Sequence, residues 1–249
     1  MAHRTSLVIV DTETHVLANN AIEQSLRQFA FDDVLILTDQ PALWPRLNAR
    51  AIPRIATIED YNHLVLDVVP EHLTTEHFIV AQYDGFVLDG AAFRPEFRDY
   101  DYIGAVWPHF PYFRVGNGGF SWRSRRLAES AARLSHWRTA DEPEDVFIAR
   151  VARVALETRH GCRFADEGLA SAFSSEFYSP SGPTFGFHGL LNLPIVYQNA
   201  LPYLVANLPD RVVIGKAGLL TLGATRLPPQ RQQELAALLG ARLASKAAG

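Results

Sequence analysis

Residues 6–12 read SLVIVDT, a short apolar run rich in β-branched side chains that ends in polar residues. Such a run is typical of a strand buried on both faces, as the strands of a parallel sheet are. Residues 33–39 (DVLILTD) show the same pattern, and residues 18–29 between them have the apolar spacing of a helix. This alternation predicts an α/β fold with a mixed, mostly parallel sheet flanked by helices.

The rest of the chain continues this alternation. Further strands are predicted at residues 52–56, 78–82 and 100–107, and a helix is predicted at residues 58–73. Helical spacing dominates residues 190–249, where leucines recur along one face. We therefore predict one domain over residues 1–249, with residues 190–249 as a helical C-terminal extension docked on it.

Composition excludes several function classes. The 249 residues carry a formal net charge of −4 and no basic run, so a nucleic-acid partner is not expected. A single cysteine, Cys162, allows neither an intramolecular disulfide nor a thiolate metal cluster. The sequence has no stretch of about 18 apolar residues, so no transmembrane segment is predicted. We expect a cytoplasmic protein whose contact with the inner membrane, if any, is made through partners.

Polar residues follow the first two predicted strands. In open parallel sheets, ligands bind beyond the carboxyl ends of the strands. Asp11 and Thr12 follow the first strand, and Thr38 and Asp39 end the second. These residues are candidate contacts for a ligand. Neither a dinucleotide fingerprint nor a P-loop follows the first strand, so a nucleotide must be held in another way.

Asp84 and Gly85 come directly after the predicted strand at residues 78–82. An apolar strand that delivers an isolated acid and then glycine can present a carboxylate to a metal or a ribose. An Asp-Gly pair is also a common hairpin turn. The residues alone leave both interpretations open.

Residues 116–119 (GNGG) contain three glycines in four positions. Glycine permits positive φ and close approach of the backbone to a bound molecule, which favours a binding surface. Ser124 stands where a helix N-cap is expected, and Glu144 and Asp145 begin a later helix. Glycines in a turn and acids in a first helical turn are each ordinary features. Only their combination indicates a binding site.

His188 lies between glycines in residues 185–189 (FGFHG). A single histidine is more often a satisfied core or surface residue than a ligand. Between glycines it is more accessible, which favours a binding role.

Five motifs in order carry a resemblance: QYDG (82–85), YDYIGA (100–105), GNGGFS (116–121), EDVF (144–147) and FGFHG (185–189). The chain resembles a largely bacterial family of unknown function that is similar to glycosyltransferases of the GT-A fold. The order of motifs is also similar to that of the Golgi beta-galactosyltransferases. The resemblance implies transfer of a sugar from a nucleotide diphosphate, with a UDP-sugar favoured, to a glycan hydroxyl with inversion, in bacterial surface polysaccharide synthesis.

The resemblance also implies roles for individual residues. Asp145 stands at the position of the catalytic base, and Glu144 beside it is expected to orient the acceptor. The expected contacts with the nucleotide donor are the four strand-end residues and six motif residues: Asp11, Thr12, Thr38, Asp39, Gln82, Asp84, Gly85, Asn117, Gly118 and Gly119.

Asp84 and His188 are the expected ligands of Mn²⁺ or Mg²⁺, by the same resemblance. The D-x-D motif of the Golgi beta-galactosyltransferases has an acid at the position of Gln82, and a neutral amide is a weak ligand for these hard cations. If no metal binds, backbone N–H groups, Arg114 or Arg123 would have to stabilise the departing diphosphate.

Two other functions are weighed against transfer. The neutral Gln82 motivates a non-catalytic domain that binds a nucleotide sugar or a glycan within a larger assembly. The hypothesis of a metal-dependent hydrolase has less support, because the sequence shows no dense cluster of His and Asp residues.

Overall fold

The computed structural model describes residues 4–177 and 182–247. The strands of its main sheet are β1 (Thr5–Val10), β2 (Asp33–Thr38), β3 (Asn48–Ala51), β4 (His77–Ala81), β5 (Tyr102–Ile103) and β6 (Ser121–Ser124). They are ordered β3-β2-β1-β4-β6-β5 across the sheet. β1 pairs in parallel with β2 and β4, β2 pairs in parallel with β3, and β6 is antiparallel to β4 and β5. The predicted mixed, mostly parallel sheet is confirmed.

Helices flank this sheet. They are α1 (His15–Gln28), α2 (Ile58–His63), α3 (Val69–His72), α4 (Arg125–Leu134), α5 (Glu144–Val146), α6 (Arg153–His160) and α7 (Glu167–Phe173). A π-helical turn, Leu64–Val68, joins α2 to α3, and a second, Phe147–Val151, lies between α5 and α6. Ser124 caps α4 by accepting a hydrogen bond from the N–H of Leu127, as its sequence position predicts.

The apolar pattern of the strands places them in the core. All six residues of β1 are buried, and one cluster on the sheet includes Leu7, Ile9, Ile36 and Ile79. Because parallel strands end at one edge, the loops that follow β1 and β4 are neighbours. This edge carries the candidate site.

Two strand predictions need correction. The third strand is Asn48–Ala51, not residues 52–56. The N–H of Ile52 still bonds the carbonyl of Thr38, but Pro53 has no N–H, so the ladder ends there. The strand expected at residues 100–107 is only Tyr102–Ile103. Beyond it, the chain pairs with residues 114–116 through a single antiparallel bridge between Val106 and Val115, in which the N–H of Trp107 bonds the carbonyl of Arg114 at 2.8 Å.

The C-terminal region is helical, with α8 (Leu193–Val196), α9 (Leu201–Asn207), α10 (Asp210–Gly215), α11 (Ala217–Ala224) and α12 (Pro229–Ala247). Their buried residues form one cluster with Leu17 and Ala21 of α1 and with Phe86 and Phe187. Such packing is what a docked extension requires, although the predicted domain bounds stay a prediction. Within residues 4–177 and 182–247, no helix is both long enough and apolar enough to span a bilayer.

Candidate active site

A tight turn at the end of β4 presents Asp84. The N–H of Gln82 bonds the carbonyl of Gly85 at 2.9 Å, and the N–H of Gly85 bonds the carbonyl of Gln82 at 3.0 Å. Asp84 therefore lies within a two-residue hairpin turn. The turn also directs the Asp84 carboxylate toward the imidazole of His188, with Oδ1 and Nε2 3.7 Å apart. Presentation of this carboxylate to a metal or a ribose stays a prediction.

His188 follows the short strand β8 (Gly186–Phe187), which pairs in parallel with β7 (Ser174–Ser175). Its Nδ1 lies 3.2 Å from Oε1 of Glu176, and its Nε2 lies 3.4 Å from Oε1 of Gln82. A carboxylate and an amide oxygen both accept hydrogen bonds, so each ring nitrogen faces an acceptor. This arrangement favours the doubly protonated imidazolium.

The pKa values agree with that assignment. Burial by itself lowers the pKa of His188, but the negative charge of Asp84 and the hydrogen bond to Glu176 outweigh it and raise the pKa to about 9. Burial raises the pKa of Asp84, and the positive charge of His188 opposes that rise. His188 is therefore a cation at neutral pH, held between two carboxyl groups and not in a hydrocarbon environment.

The glycine segment contacts the chain's own side chains. A Cβ on Gly119 would lie 2.0 Å from Nε2 of His188, and one on Gly118 would lie 2.2 Å from Oε1 of Glu144. A Cβ on Gly85 would meet His188 and the carbonyl oxygen of Gly119 within 3.0 Å. Glycine is thus required here for protein packing, and the space on the Cβ side holds His188 and Glu144 rather than a ligand.

The expected positive φ in this segment is found at Asn117, where φ is 61°, and not at its glycines. Asparagine is one of the few side chains that tolerate this conformation. The amide oxygen of Asn117 accepts the N–H of Gly119 at 3.1 Å, which holds the turn. Asn117 is buried. Its contact with a donor stays a prediction.

Asp145 lies against the glycine segment. Its Oδ2 accepts the N–H of Gly118 at 2.8 Å, and its Oδ1 accepts the N–H of Val146 at 2.8 Å. Burial and the charge of Glu144 raise the pKa of Asp145 to about 6, although both N–H groups oppose the rise. A carboxylate with this pKa is ionised at pH 7 and is a stronger base than an ordinary aspartate.

Glu144 is placed differently from its expected role toward the acceptor. Its two carboxylate oxygens bond Nη1 and Nη2 of Arg123 at 2.8 and 2.9 Å, and the two side chains are only 4% and 2% exposed. The backbone N–H of Glu144 bonds Oδ1 of Asn62. This geometry favours a positioning role for Glu144, beneath Gly118 and Asp145.

A cavity of about 460 Å³ lies beside this cluster, at the carboxyl ends of β1 and β4. Gln82 connects the two, because its Nε2 donates to the hydroxyl of Tyr61 at 2.7 Å while its Oε1 faces His188. The residues that line the cavity are Val10, Asp11, Thr12, Glu13, Thr14, Arg54, Ile55, Ala56, Thr57, Ile58, Tyr61, Gln82, Tyr83 and Arg211.

The predicted contacts at the strand ends divide into two pairs. Asp11 and Thr12 line the cavity, where the Asp11 carboxylate accepts the N–H of Thr14 and the Thr12 hydroxyl accepts the N–H of Ile55. Thr38 is fully buried, and Asp39 pairs with His15 at 2.7 Å. The structure thus brings Asp11 and Thr12 to the cavity and leaves Thr38 and Asp39 outside its lining.

Sequence reasoning missed Glu176, Tyr61 and Arg211. Glu176 follows a strand of only two serines, which lacks the apolar run that preceded Asp84, so no local signal identified it. Tyr61 lies in the helix predicted at residues 58–73, and helical spacing gives no sign that its hydroxyl bonds Gln82. Arg211 lies in the C-terminal helices, and no local pattern connects it with a cavity 198 residues away in sequence at Glu13.

Within the two described segments, no group of three or more His, Cys, Asp or Glu side chains is arranged to hold a metal ion. Oδ1 of Asp84 is buried without a hydrogen-bond partner among these residues. An imidazolium at His188 has no lone pair for a metal, and Gln82 supplies only an amide. Among the described residues, protein groups alone do not form a metal site. Dependence on Mn²⁺ or Mg²⁺ stays a prediction.

A similar fold occurs among solved structures in a glycosyltransferase involved in the glycosylation of the major capsid of PBCV-1. The superposition gives a TM-score of 0.51 at 8% sequence identity, and it covers 74% of this chain and 92% of that chain. At this identity the similarity establishes the fold alone, and it agrees with the predicted GT-A-like architecture. No functionally curated protein matches the chain.

The family comparison is more direct. Residues 46–188, more than half of the chain, match the model of a family described as a protein of unknown function (DUF5672). This segment contains the turn at Asp84, the glycine segment, Asp145 and His188. The chain belongs to the DUF5672 family.

Proposed function

We propose that this protein transfers a sugar from a nucleotide-diphosphate donor, with a UDP-sugar favoured, to a hydroxyl group of a glycan. The observation that carries the proposal is a continuous set of contacts around the glycine segment. Asp145 accepts the N–H of Gly118, and the ring of His188 lies against Gly119 and faces Asp84. A carboxylate and an imidazole thus both contact the glycine segment, and Gln82, which faces His188, lines the neighbouring cavity.

In the proposed reaction the acceptor oxygen attacks the anomeric carbon and its proton passes to Asp145. The bond between that carbon and the diphosphate oxygen breaks, and its electron pair leaves on the diphosphate. Attack on the face opposite the diphosphate inverts the anomeric configuration. The imidazolium of His188 favours negative charge on the leaving group, because a preorganised cation needs little reorganisation.

Asp145→Asn tests the base. We expect turnover to fall by about 10²–10⁴-fold, since the amide accepts no proton. Donor binding should survive, because the amide oxygen can still accept the N–H of Gly118. Release of nucleotide from a panel of nucleotide sugars measures turnover, and a thermal-shift assay with the same compounds measures binding. Each is run with Mn²⁺ and with a chelator, which also tests metal dependence.

Asp141→Asn is the matched control, because Asp141 is an exposed carboxylate in the loop before Asp145. It should turn over as the unmodified protein does. Wild-type turnover in Asp145→Asn would show that the assignment of the base is wrong.

A non-catalytic binding domain is the second candidate. It is favoured by Gln82, a neutral group at a position where the related pattern has an acid, and by the mutual pairing of Asp84, His188 and Glu176. A binding domain would shift its melting temperature with a nucleotide sugar but would release no nucleotide, with or without Mn²⁺.

The proposed cellular setting is cytoplasmic, with acceptors that belong to bacterial surface polysaccharide. Its support is the resemblance of the motifs to a largely bacterial family. Cell fractionation tests the location, and the polysaccharide profile of a strain that lacks the protein tests the pathway. An unchanged profile would contradict this assignment without affecting the assignment of Asp145.

A further inference from the structure

The diphosphate of a donor needs a cation, and the arginines expected to supply one are occupied. Arg123 is buried and bonded to Glu144. Arg114 donates to the carbonyl of Trp107 and pairs with Glu167 at 3.0 Å. Neither lines the 460 Å³ cavity, which has two other arginines in its wall, Arg54 and Arg211.

Arg211 reaches the cavity from α10, outside the part of the chain that matches the family model. Its Nε and Nη2 both lie 2.8 Å from Oε2 of Glu13, in the loop after β1. These contacts leave Nη1 without a hydrogen-bond partner among the described residues, and the side chain is 59% exposed. The guanidinium is therefore oriented at the cavity and can still bind a further acceptor.

The helix that carries Arg211 is well anchored. Val212 and Val213 next to it are buried in the C-terminal cluster. Arg242 of α12 donates to the carbonyl of Leu208 at 2.5 Å and to the Asp210 carboxylate at 3.0 Å. Residues on both sides of Arg211 are thus fixed, so the direction of its side chain is set by tertiary packing.

Arg211 shares the cavity wall with the Asp84 turn. Gln82 and Tyr83 of that turn line the cavity together with Arg211. The same turn places the Asp84 carboxylate 3.7 Å from Nε2 of His188. A diphosphate bound by Arg211 in this cavity would therefore lie beside the turn.

The remaining wall of the cavity is not simply basic. Arg54 is exposed in the segment after β3, whereas Asp11, Thr12 and Gln82 offer carboxylate, hydroxyl and amide groups. Acceptors of this kind suit ribose hydroxyls and base edges, and guanidinium groups suit phosphate oxygens. This mixture fits a nucleoside diphosphate better than a simple anion.

We infer that Arg211 binds the diphosphate of the donor, with Arg54 as a second phosphate contact, so that the C-terminal helices complete the donor site. This inference rests on the proposed function and adds to it the residues that bind the diphosphate. It requires no change in the position of Asp145 or His188.

Calorimetric titration with UDP and with uridine, in a chelator, tests the inference on the full chain. Arg211→Gln should weaken UDP binding by about tenfold or more and leave uridine binding unchanged, because it removes charge-assisted hydrogen bonds to phosphate. Arg211→Lys keeps the charge without the planar guanidinium, so it should bind UDP more tightly than Arg211→Gln and less tightly than the unmodified protein. Arg54→Gln should weaken UDP binding by a smaller factor and leave uridine binding unchanged.

Arg231→Gln is the matched control, because Arg231 is also in the C-terminal helices but pairs with Glu234 and does not line the cavity. It should bind UDP as the unmodified protein does. Unchanged UDP affinity in Arg211→Gln would overturn the inference, as would equal losses for UDP and uridine. If the unmodified protein bound none of UDP, GDP or ADP either in a chelator or with Mn²⁺, the proposed function itself would fail, which is a distinguishable result.

Discussion

Asp145 is the residue whose ionisation should set the pH dependence of the reaction. Its pKa is raised to about 6, chiefly by burial and then by the charge of Glu144. A base accepts a proton only when it is ionised, so turnover should rise as pH increases through about 6 and level off above it. Turnover measured at saturating donor between about pH 5 and pH 8 checks this. A profile without an inflection near pH 6 would contradict the role of Asp145.

The Arg123–Glu144 pair is the buried ion pair beneath the glycine segment. Removing one partner leaves an uncompensated buried charge, so Arg123→Met should lower the free energy of unfolding by about 3–5 kcal/mol. The double variant Arg123→Met with Glu144→Leu should recover part of that loss, because it buries no charge. Urea denaturation measures the free energy of unfolding of the unmodified protein, of Arg123→Met and of the double variant.

The exposed pair of Arg125 and Glu129 on α4 provides the matched control. Its side chains are 45% and 46% exposed at a separation of 3.2 Å. Arg125→Met should change the free energy of unfolding by less than about 1 kcal/mol, as is usual for surface pairs. If Arg123→Met and Arg125→Met changed the free energy of unfolding equally, burial of the Arg123–Glu144 pair would not affect stability as expected.

At the scale of elements, the glycine segment is coupled to the loop that carries His188. A Cβ at position 119 would lie 2.0 Å from Nε2 of His188, so Gly119→Ala must displace that ring. We expect Gly119→Ala to be destabilising, and less so when His188 is already alanine. The coupling free energy between the two substitutions should be about 0.5–3 kcal/mol in a double-mutant cycle.

Gly240→Ala is the control for this cycle. Gly240 lies in α12, and a Cβ there would meet nothing within 4 Å. Alanine should stabilise this helix by about 0.5–1 kcal/mol and show no coupling to His188→Ala. Strictly additive effects of Gly119→Ala and His188→Ala would contradict the contact.

Elements with a strong local signal were predictable. The helix expected within residues 18–29 and the N-cap expected at Ser124 are both present, the first as α1 (His15–Gln28). The strand expected at residues 52–56 was wrong by a few residues, because Pro53 ends the ladder rather than continuing it. Apolar content alone does not locate the end of a strand, since the missing N–H decides it.

At the scale of the whole molecule, the C-terminal helices should contribute to the stability of the sheet domain. Leu239 of α12 is 4% exposed in the cluster that contains Leu17 of α1, whereas Leu243 on the same helix is 37% exposed. Leu239→Ala should lower the free energy of unfolding by about 2–5 kcal/mol, because it leaves a cavity. Leu243→Ala should have a much smaller effect.

Urea denaturation followed by both fluorescence and circular dichroism measures these changes. If the extension is docked on one domain, both signals should show a single, coincident transition in each variant. Two separated transitions, or equal losses in Leu239→Ala and Leu243→Ala, would contradict the docking of residues 190–249 as one unit with the sheet.

The sequence by itself determined the mostly parallel sheet, the acids at its strand ends and the ordered motifs around Asp84, Asp145 and His188. These features depend on local periodicity and on residue type, which are present in any short stretch of chain. Their positions along the chain could therefore be predicted before their positions in space.

Only the tertiary structure decided which groups meet. Gln82 and His188 are 106 residues apart, and Glu144 faces Arg123 rather than the cavity. Glu176 and Arg211 join the site through packing of elements that carry no local sign of it. Such contacts depend on how helices and loops pack across the sheet, which no local pattern encodes, and they give His188 and Asp145 their raised pKa values.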